Sequence, residues 1–372
     1  MKILSVKKSL LDDSAASWRI LNIARLLRSR GHEVHLVQYV TEPISEKLKC
    51  NKVDITDIPT SIVTASCLTV HIRHLRELAR DNYDLVFGDS HFGAFFSALG
   101  TLKRVPLIFD MHGGAEELLL KPNFISIGKY PIYMTIEHLN LRLSTKVCCV
   151  SQKMIQHLHS QKGVPLAKMA YVTNGVDLDF FKPVHTNHVQ AQREKLGLEN
   201  KFIFGYIGGF SRWQGVENFI EAAKMISDPQ IAFVIVGADK QSKEGNTIFI
   251  PKVPRSQTPD YYSICDVLVL PRPSHIATEI AAPTKFAEYT AAGKPVLTTK
   301  VGDAADLVSR YNCGIVVESS NQKDLVQGIL EFRSKSKSEL TAMGQGSRRL
   351  AENEFDWNKV IGNLIRVIDE IA

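Results

Sequence analysis

The 372-residue sequence has no apolar run long enough to span a bilayer, and its first residues, MKILSVKKSLLDD, include too few apolar ones for a signal peptide. It also has no low-complexity tract. These absences argue against a membrane-spanning, secreted or disordered chain. They predict a cytoplasmic protein, with peripheral attachment to the inner face of the membrane as the open alternative. The length is typical of two ordinary domains.

Cysteines with the spacing of metal ligands are missing as well. The six cysteines are expected to be reduced thiols, and they are Cys50, Cys67, Cys148, Cys149, Cys265 and Cys313. The triplet DLD at 177–179 offers two carboxylates, but it lies in a polar stretch between predicted domains, where Asp177 fits a turn or a helix cap. We therefore expect neither a metal nor a cofactor.

The excess of positive charge is small, since 45 basic and 39 acidic residues give a net charge of +6. This is too little to predict a nucleic-acid partner, but it suits anionic small ligands or a membrane surface. Basic residues gather early in the chain, at Lys7, Lys8, Arg19, Arg25, Arg28, Arg30 and in HIRHLRELAR at 71–80. They could meet anionic lipid head groups, and solvated helix faces are an equally good interpretation.

Short apolar runs that predict strands alternate with helical periods along the chain. The strand candidates are 2–6, 33–39, 84–89, 107–112, 147–151 and 169–174, followed by 202–208, 232–237, 247–253, 266–271, 295–299 and 314–318. Many are continuously apolar, as in parallel strands that helices cover on both faces. Helical periods at 14–30 and 215–226 complete a repeated βαβ pattern. We therefore predict an α/β protein with two doubly wound, Rossmann-like domains.

The predicted boundary between the domains lies near residues 174–197, a polar stretch without a strand pattern. The first domain is expected to cover 1–173 and the second 174–355. An amphipathic helix closes the chain, within 356–372, and could cap either domain.

The stretch GYIGGFSRWQG at 205–215 places Gly208 and Gly209 between a buried strand and a helix that begins near Gly215. Glycines let a phosphate approach the backbone, and a helix N-terminus offers N–H groups and partial positive charge. A tight turn that needs positive φ is an equally simple interpretation. A diphosphate should also need a side-chain cation, and Arg212 and Lys285 are the candidates.

The stretch PTKFAEYTAAGKPVL at 283–297 combines a helix start with charged side chains. Pro283 suits the first helical turn, and Thr284 and Lys285 beside it bring free N–H groups and a cation together. Glu288, one turn further, could accept both hydroxyls of a ribose. The alternative is a capped helix with one exposed lysine and one exposed glutamate.

These two stretches, in this order, resemble the family 4 glycosyltransferases with the GT-B fold. PTKFAEYTAAGKPVLTT is similar to the donor-site signature of that family, and GYIGGFSRWQGVENFIEAA is similar to its glycine loop. VTNGVDLDFFKP resembles the interdomain segment, VSQKMIQHL a helix start in the first domain, and SRGHEVHLVQY the usual second strand. The resemblance extends over essentially the whole chain and is most specific in its second half.

The resemblance implies a retaining, metal-independent transfer of a hexosyl group from a nucleoside diphosphate sugar to a glycan or lipid-linked acceptor. It implies two domains facing a cleft, with the last helix crossing back to the first domain. By the same resemblance Glu288 binds the ribose, Thr284 and Lys285 hold the diphosphate, and the base rests near Val253. His112, in FDMHGG, would lie near the anomeric carbon and the acceptor, with Arg212 beside the phosphates.

The sequence departs from the family pattern at three places. Ile280 stands where the family has its first glutamate, with Glu279 one residue away. Gly209 and Gln214 stand where the glycine loop usually carries cations, so that Arg212 is the substitute candidate. No glycine follows the first strand.

Two other functions remain open within the same fold, a sugar-nucleotide-binding protein without catalysis and a sugar-nucleotide epimerase. A nicotinamide-dependent oxidoreductase is disfavoured because no G-x-G-x-x-G motif follows a strand and opens a helix.

Overall fold

The computed structural model describes residues 1–12, 14–40, 55–64, 68–78, 83–101, 104–120, 123–184 and 186–372. The chain divides into two compact units. The first comprises Met1–Thr173 and Trp357–Ala372, and the second comprises Asn174–Asp356.

The first unit is built on a parallel sheet. Its elements are β1 (Lys2–Lys7), α1 (Ala15–Ser29), β2 (Glu33–Val40), β3 (Thr60–Thr64), α2 (Leu68–Leu78), β4 (Leu85–Asp89), α3 (Ser90–Thr101), β5 (Leu107–Met111), α4 (Phe124–Leu143), β6 (Lys146–Cys149), α5 (Gln152–Lys162) and β7 (Met169–Tyr171). The described strands pair in the order 3-2-1-4-5-6-7. The order reverses between β1 and β4, and in such sheets ligands bind beyond the carboxyl ends of strands at the point of reversal.

The second unit repeats this plan. Its elements are α6 (Thr186–Lys195), β8 (Phe202–Ile207), α7 (Val216–Lys224), β9 (Ile231–Ala238), β10 (Ser242–Glu244), β11 (Thr247–Pro251), α8 (Thr258–Ile264), β12 (Val267–Leu270), α9 (Ile276–Glu279), α10 (Thr284–Ala291), β13 (Val296–Thr299), α11 (Gly302–Arg310), β14 (Gly314–Val317), α12 (Gln322–Ser334) and α13 (Lys337–Leu350). The described strands pair in the order 10-11-9-8-12-13-14, with β10 antiparallel to β11. Here the reversal lies between β8 and β12.

The final helix, α14 (Trp357–Asp369), belongs to the first unit and packs against α1. Its apolar face buries Ile361, Leu364 and Ile368 in the same core as Ile20 and Leu27 of α1. The apolar face predicted for α1 is therefore buried as expected. No described helix combines the length and the apolarity needed to cross a membrane.

Two short strands and one side chain differ from the sequence predictions. β3 and β10 were not predicted because they are short edge strands with exposed positions rather than apolar runs. Met225, within the helical period predicted at 215–226, lies beyond the end of α7 and is mostly exposed. Four cysteines, at 148, 149, 265 and 313, are free and buried, whereas Cys50 and Cys67 lie outside the described residues.

Candidate functional site

The glycine loop of the second unit follows β8 at the reversal point of the sheet. Gly208 has φ +149° and donates its N–H to the Val236 carbonyl at 3.0 Å. Gly215 has φ +70° and precedes α7, and a Cβ there would lie 1.8 Å from the Pro271 carbonyl oxygen. Gly209 is different, because a Cβ there would meet nothing within 4 Å. Positive φ thus explains Gly208, and positive φ with close backbone packing explains Gly215, but neither explains Gly209.

Lys285 lies against this loop at the start of α10. Its Nζ donates to the Tyr206 hydroxyl at 2.7 Å and lies 4.2 Å from the centre of that ring. A Cβ added to Gly208 would come within 2.4 Å of the same Nζ. The structure therefore brings the two sequence-predicted motifs together, since Gly208 and Lys285 are in direct contact.

The ammonium of Lys285 is poorly solvated and has a second cation nearby. Burial and, to a smaller extent, the Arg272 guanidinium lower the pKa of Lys285 to about 7, with Glu288 opposing. Arg272 follows β12, is only 6% exposed, and donates from Nε to the Trp213 carbonyl at 3.5 Å. An anion near these two side chains would restore the charge of Lys285 and neutralise both.

Arg272 was missed by the sequence analysis. The available indication was its position directly after a buried strand, at the end where parallel α/β sheets bind ligands. Arg212, which the sequence analysis chose instead, lies exposed on the 3₁₀ helix Arg212–Gln214. Within the described part of the chain, no hydrogen bond or ion pair joins Arg212 to Lys285.

Glu288 is buried, and both of its oxygens have partners. Oε2 accepts the Tyr262 hydroxyl at 2.6 Å, and Oε1 pairs with the Arg255 guanidinium at 2.7 Å. Arg255 also lies over the Phe181 ring, 5.1 Å from its centre. Burial raises the pKa of Tyr262 well above its usual range, and the neighbouring Glu288 carboxylate raises it further, so the phenol stays a donor. A carboxylate has about four lone-pair sites, so two remain for a ligand.

The other predicted donor residues surround this pair. Thr284 is the first residue of α10, and Pro283 is its N-cap rather than part of its first turn. Val253 is half-buried in the loop after β11, just before the 3₁₀ helix Arg255–Gln257. α10 starts with no side-chain cap hydrogen bond, which leaves its first N–H groups for water or a ligand.

Glu279 has a structural role at the position closest to the missing first glutamate. Its Oε1 accepts the Ser274 hydroxyl at 2.9 Å, and its Oε2 accepts the Gly302 N–H at 2.7 Å. The carboxylate thus satisfies a donor at the N-terminus of α11. Ile280 is buried, with 1% of its surface exposed.

The first unit gathers a charged cluster around His112, beyond the ends of β1, β4 and β5. His112 Nε2 donates to Asp110 Oδ2 at 2.8 Å and lies 3.5 Å from Asp89 Oδ1. Lys7 pairs with Asp89 at 2.9 Å, and Arg19 pairs with both oxygens of Asp110, at 2.9 and 2.7 Å. Burial alone would raise the pKa of Asp110, but Arg19 and then His112 hold it well below its usual range.

Three of these side chains are close enough together to share a metal ion. The ligand atoms of Asp89, Asp110 and His112 lie within 4.8 Å of one another. Two carboxylates already face two cations, Lys7 and Arg19, so the cluster is charge-balanced without a metal. The expected independence of metal remains a prediction.

The same two ion pairs correct the interpretation of the basic residues. Lys7 and Arg19 were grouped with residues that could meet lipid head groups, but they are 5% and 2% exposed. They are used inside the unit, where Arg19 also donates to the carbonyls of Val172 and Thr173. Part of the predicted basic surface therefore does not exist.

A second buried network supports the segment that follows His112. Glu137 of α4 accepts His91 Nε2 and the Ala115 N–H, both at 2.8 Å, and also pairs with Lys162. Burial would raise the pKa of Glu137, but His91 and Lys162 hold it at about 2. Glu116, four residues after His112, pairs with Lys162 at 2.7 Å and is buried.

Comparison with known proteins identifies related sequences over most of the chain. Residues 188–349 match the family model described as glycosyl transferases group 1, and residues 16–180 match the model described as glycosyltransferase family 4. Spore coat protein SA of Bacillus subtilis (strain 168) is 26% identical over 249 residues, which are 60% of this chain and 65% of that protein. The matched region thus spans slightly less than two thirds of this relative.

Two further proteins resemble a larger share of the chain. The UDP-Gal:alpha-D-GlcNAc-diphosphoundecaprenol alpha-1,3-galactosyltransferase of Escherichia coli is 23% identical over 311 residues, covering 79% of this chain and 75% of that protein. The crystal structure of Anabaena HepE in complex with UDP superposes over 100% of both chains with a TM-score of 0.78, at 18% identity. Together with the family models, these similarities show that the chain belongs to the glycosyl transferases group 1 family and has the GT-B fold.

Proposed function

We propose that this glycosyltransferase moves a hexosyl group from a nucleoside diphosphate sugar to an acceptor hydroxyl, with retention of the anomeric configuration and without a metal. The second unit would bind the donor, and the first unit would bind the acceptor. The observation that carries the proposal is the contact between Lys285 and Gly208, beside the buried Arg272. The UDP complex of the structurally similar HepE supports a nucleotide-sugar donor.

The diphosphate would rest on the glycine loop and the first turn of α10. Lys285 and Arg272 supply side-chain charge, while the N–H groups at Thr284 and Lys285 supply hydrogen bonds. A cation about 4 Å from an anion contributes about 4 kcal/mol at an effective dielectric near 20, compared with about 0.3–1 kcal/mol from the helix dipole. We therefore assign the larger share of diphosphate binding to the two side chains, with the exposed Arg212 as a further contact once the donor is bound.

The nucleoside would extend from the diphosphate toward Glu288 and Val253. Tyr262 and Arg255 orient the Glu288 carboxylate, and its remaining lone pairs can accept the ribose hydroxyls. The base would lie along the backbone at Val253.

The chemical step would separate charge between the sugar and the diphosphate. The bond from the anomeric carbon to the diphosphate oxygen breaks, and its electron pair leaves with the diphosphate. Lys285 and Arg272 stabilise that growing charge. The acceptor oxygen bonds to the anomeric carbon on the same face, and its proton passes to the departing phosphate oxygen. This route needs no enzyme carboxylate. It therefore agrees with the apolar Ile280 and with Glu279, whose two oxygens already accept hydrogen bonds from Ser274 and Gly302.

His112 would position the sugar and the acceptor. Its Nε2 is occupied by Asp110, and Asp110 is fixed by Arg19, so the imidazole is held in one orientation. A glycan or a lipid-linked intermediate is the proposed acceptor, in the cytoplasm. The name of the Escherichia coli relative includes a GlcNAc-diphosphoundecaprenol, and this favours the lipid-linked alternative.

The proposal can be tested by a thermal-shift screen against UDP-, GDP-, ADP- and TDP-sugars. A ligand that binds only the folded state raises the melting temperature by mass action. Lys285→Ala should abolish the shift produced by the best donor. Lys300→Ala removes an exposed lysine of the same unit and should leave it unchanged. If no nucleotide sugar raises the melting temperature of the wild-type protein, or if the Lys285→Ala protein responds like the wild type, the assignment is wrong.

A sugar-nucleotide-binding protein without catalysis is the second candidate, and the buried Ile280 in place of a glutamate favours it. Donor binding without release of nucleotide, across a broad panel of acceptors, would select this alternative.

A further inference from the structure

The first half of α4 exposes large apolar side chains in an otherwise ordinary protein surface. Phe124 is 95% exposed, and Ile125, Ile127 and Ile132 are 66%, 56% and 59% exposed. Single exposed apolar residues are common, but four in nine consecutive residues form a patch that usually marks an interaction surface. We propose that residues 124–132 of α4 form a surface by which this protein docks on a lipid bilayer.

The helix is well defined up to its exposed tip. Asn123 and Ser126 form a capping box, which starts the helix immediately before Phe124. The second half of α4 is anchored, because Ile136, Glu137 and Leu141 are buried and the Tyr133 ring contacts the Phe92 ring at 5.2 Å. The apolar tip is therefore held rigidly away from the core of its own unit.

The exposed side chains lie on one side of the helix. At about 100° per residue, Ile127, Pro131, Phe124, Gly128, Ile132 and Ile125 fall within an arc of about 160°. Lys129 is exposed at the border of this arc. An exposed apolar arc of this width lets several side chains enter a membrane interface together, and the buried apolar area sets the strength of such binding.

The charges around the patch favour a bilayer over a protein partner. Lys129 is the only charged residue in the sequence between Phe124 and Ile136, and it is exposed. An apolar surface whose one charge is positive complements an anionic membrane, where each nearby lysine contributes about 1 kcal/mol.

The position of the patch connects it to the site. The 3₁₀ helix Ala115–Leu119 begins three residues after His112 and precedes α4 in the chain. Glu137 of α4 accepts the Ala115 N–H, and this hydrogen bond ties the 3₁₀ helix to α4. In so far as the proposed function is correct and the acceptor is lipid-linked, docking here would deliver that acceptor close to His112.

The test is sedimentation of the full-length protein with vesicles of phosphatidylethanolamine and phosphatidylglycerol. The double variant Phe124→Ser, Ile125→Ser should bind these vesicles at least about tenfold more weakly, because each buried side chain of this size contributes more than a factor of ten. The control is Met225→Ser with Leu330→Ser, two apolar residues of the second unit that are 56% and 51% exposed, and it should bind like the wild type. Lys129→Glu should weaken binding to these vesicles more than binding to phosphatidylcholine vesicles.

The outcomes separate this inference from the proposed function. Vesicle binding needs no donor, and the thermal shift by nucleotide sugars should be the same in all these variants. Circular dichroism and the melting temperature should also be unchanged, since the replaced side chains are exposed. Equal sedimentation of the wild type and the Phe124→Ser, Ile125→Ser protein overturns the inference. So does an oligomer of the wild type in solution that this variant dissociates, because the patch then binds a second copy.

Discussion

The ammonium of Lys285 allows a prediction about pH. In the empty protein its pKa is lowered to about 7 by burial and by Arg272, so the amine is largely neutral above pH 7. A bound diphosphate raises this pKa, and donor binding therefore takes up a proton. The affinity for a nucleoside diphosphate sugar should fall as the pH rises above 7, by at most about tenfold per pH unit.

Titration calorimetry in two buffers of different ionisation enthalpy measures this proton uptake directly. Lys285→Met should bind more weakly and take up no proton, whereas Lys300→Met should behave like the wild type. A wild-type affinity that is constant between neutral and alkaline pH would falsify the assignment of Lys285 to the diphosphate.

Individual site residues were predictable where a motif surrounds them. The PTKFAE run marked Lys285 and Glu288. The structure places them close enough for the Glu288 carboxylate to raise the pKa of Lys285. Arg272 and Arg255 were not predictable in this way. Arg272 lies near Lys285, and Arg255 pairs with Glu288, and each arginine belongs to a loop outside the motif. No local spacing in the sequence predicts these contacts. The catalytic and binding roles of all these residues remain predictions.

The glycine loop supports a prediction about backbone packing. Gly215→Ala must place a Cβ at φ +70° and 1.8 Å from the Pro271 carbonyl oxygen. Gly197, at φ +65°, has no atom within 4 Å of such a Cβ, so Gly197→Ala incurs only the conformational cost of about 1–2 kcal/mol. Gly215→Ala should therefore lower the free energy of unfolding by at least about 1 kcal/mol more than Gly197→Ala.

Urea denaturation of the two variants measures the difference. Equal losses of stability would show that the loop relaxes away from Pro271 without resistance. The nucleotide affinity of Gly215→Ala should fall as well, because the backbone that follows Gly208 is displaced.

Strands and helices were predictable to the extent that their burial is regular. Runs such as AFVIVG in β9 are buried on both faces, so their sequence is continuously apolar. β3 and β10 lie at sheet edges, where solvent permits polar residues and the apolar pattern disappears. The first half of α4 shows the opposite case, because its apolar residues are exposed, and a pattern of apolar residues cannot distinguish a core from a docking surface.

The division of the chain into two units predicts separable effects of core substitutions. Leu364 of α14 is fully buried in the first unit, and Leu364→Ala should destabilise that unit by about 2–5 kcal/mol. Lys285 and Glu288 belong to the second unit, so donor affinity at low temperature should change little. Arg366→Ala, an exposed position on the same helix, should alter stability by about 0.5 kcal/mol or less.

Thermal unfolding and donor titration of the same samples test this. A Leu364→Ala protein that keeps the wild-type stability, or one that loses donor binding while still folded, would contradict the assignment of α14 to the first unit alone.

Two doubly wound sheets were predictable from the order of strands and helices, because parallel strands joined by helices must be covered on both faces. The GT-B fold was implied by the family resemblance, and it is confirmed. The basic surface was not predictable, since Lys7 and Arg19 find buried carboxylates that are more than eighty residues away in sequence.

The three tryptophans are distributed so that they act as built-in optical probes. Trp213 lies in the 3₁₀ helix of the glycine loop, where its carbonyl accepts from Arg272, whereas Trp18 in α1 and Trp357 in α14 belong to the other unit. With Trp18 and Trp357 replaced by phenylalanine, the intrinsic fluorescence of the remaining indole should report nucleotide occupancy without any attached dye. The converse protein, which lacks only Trp213, should be silent to the donor and follow the melting of the first unit.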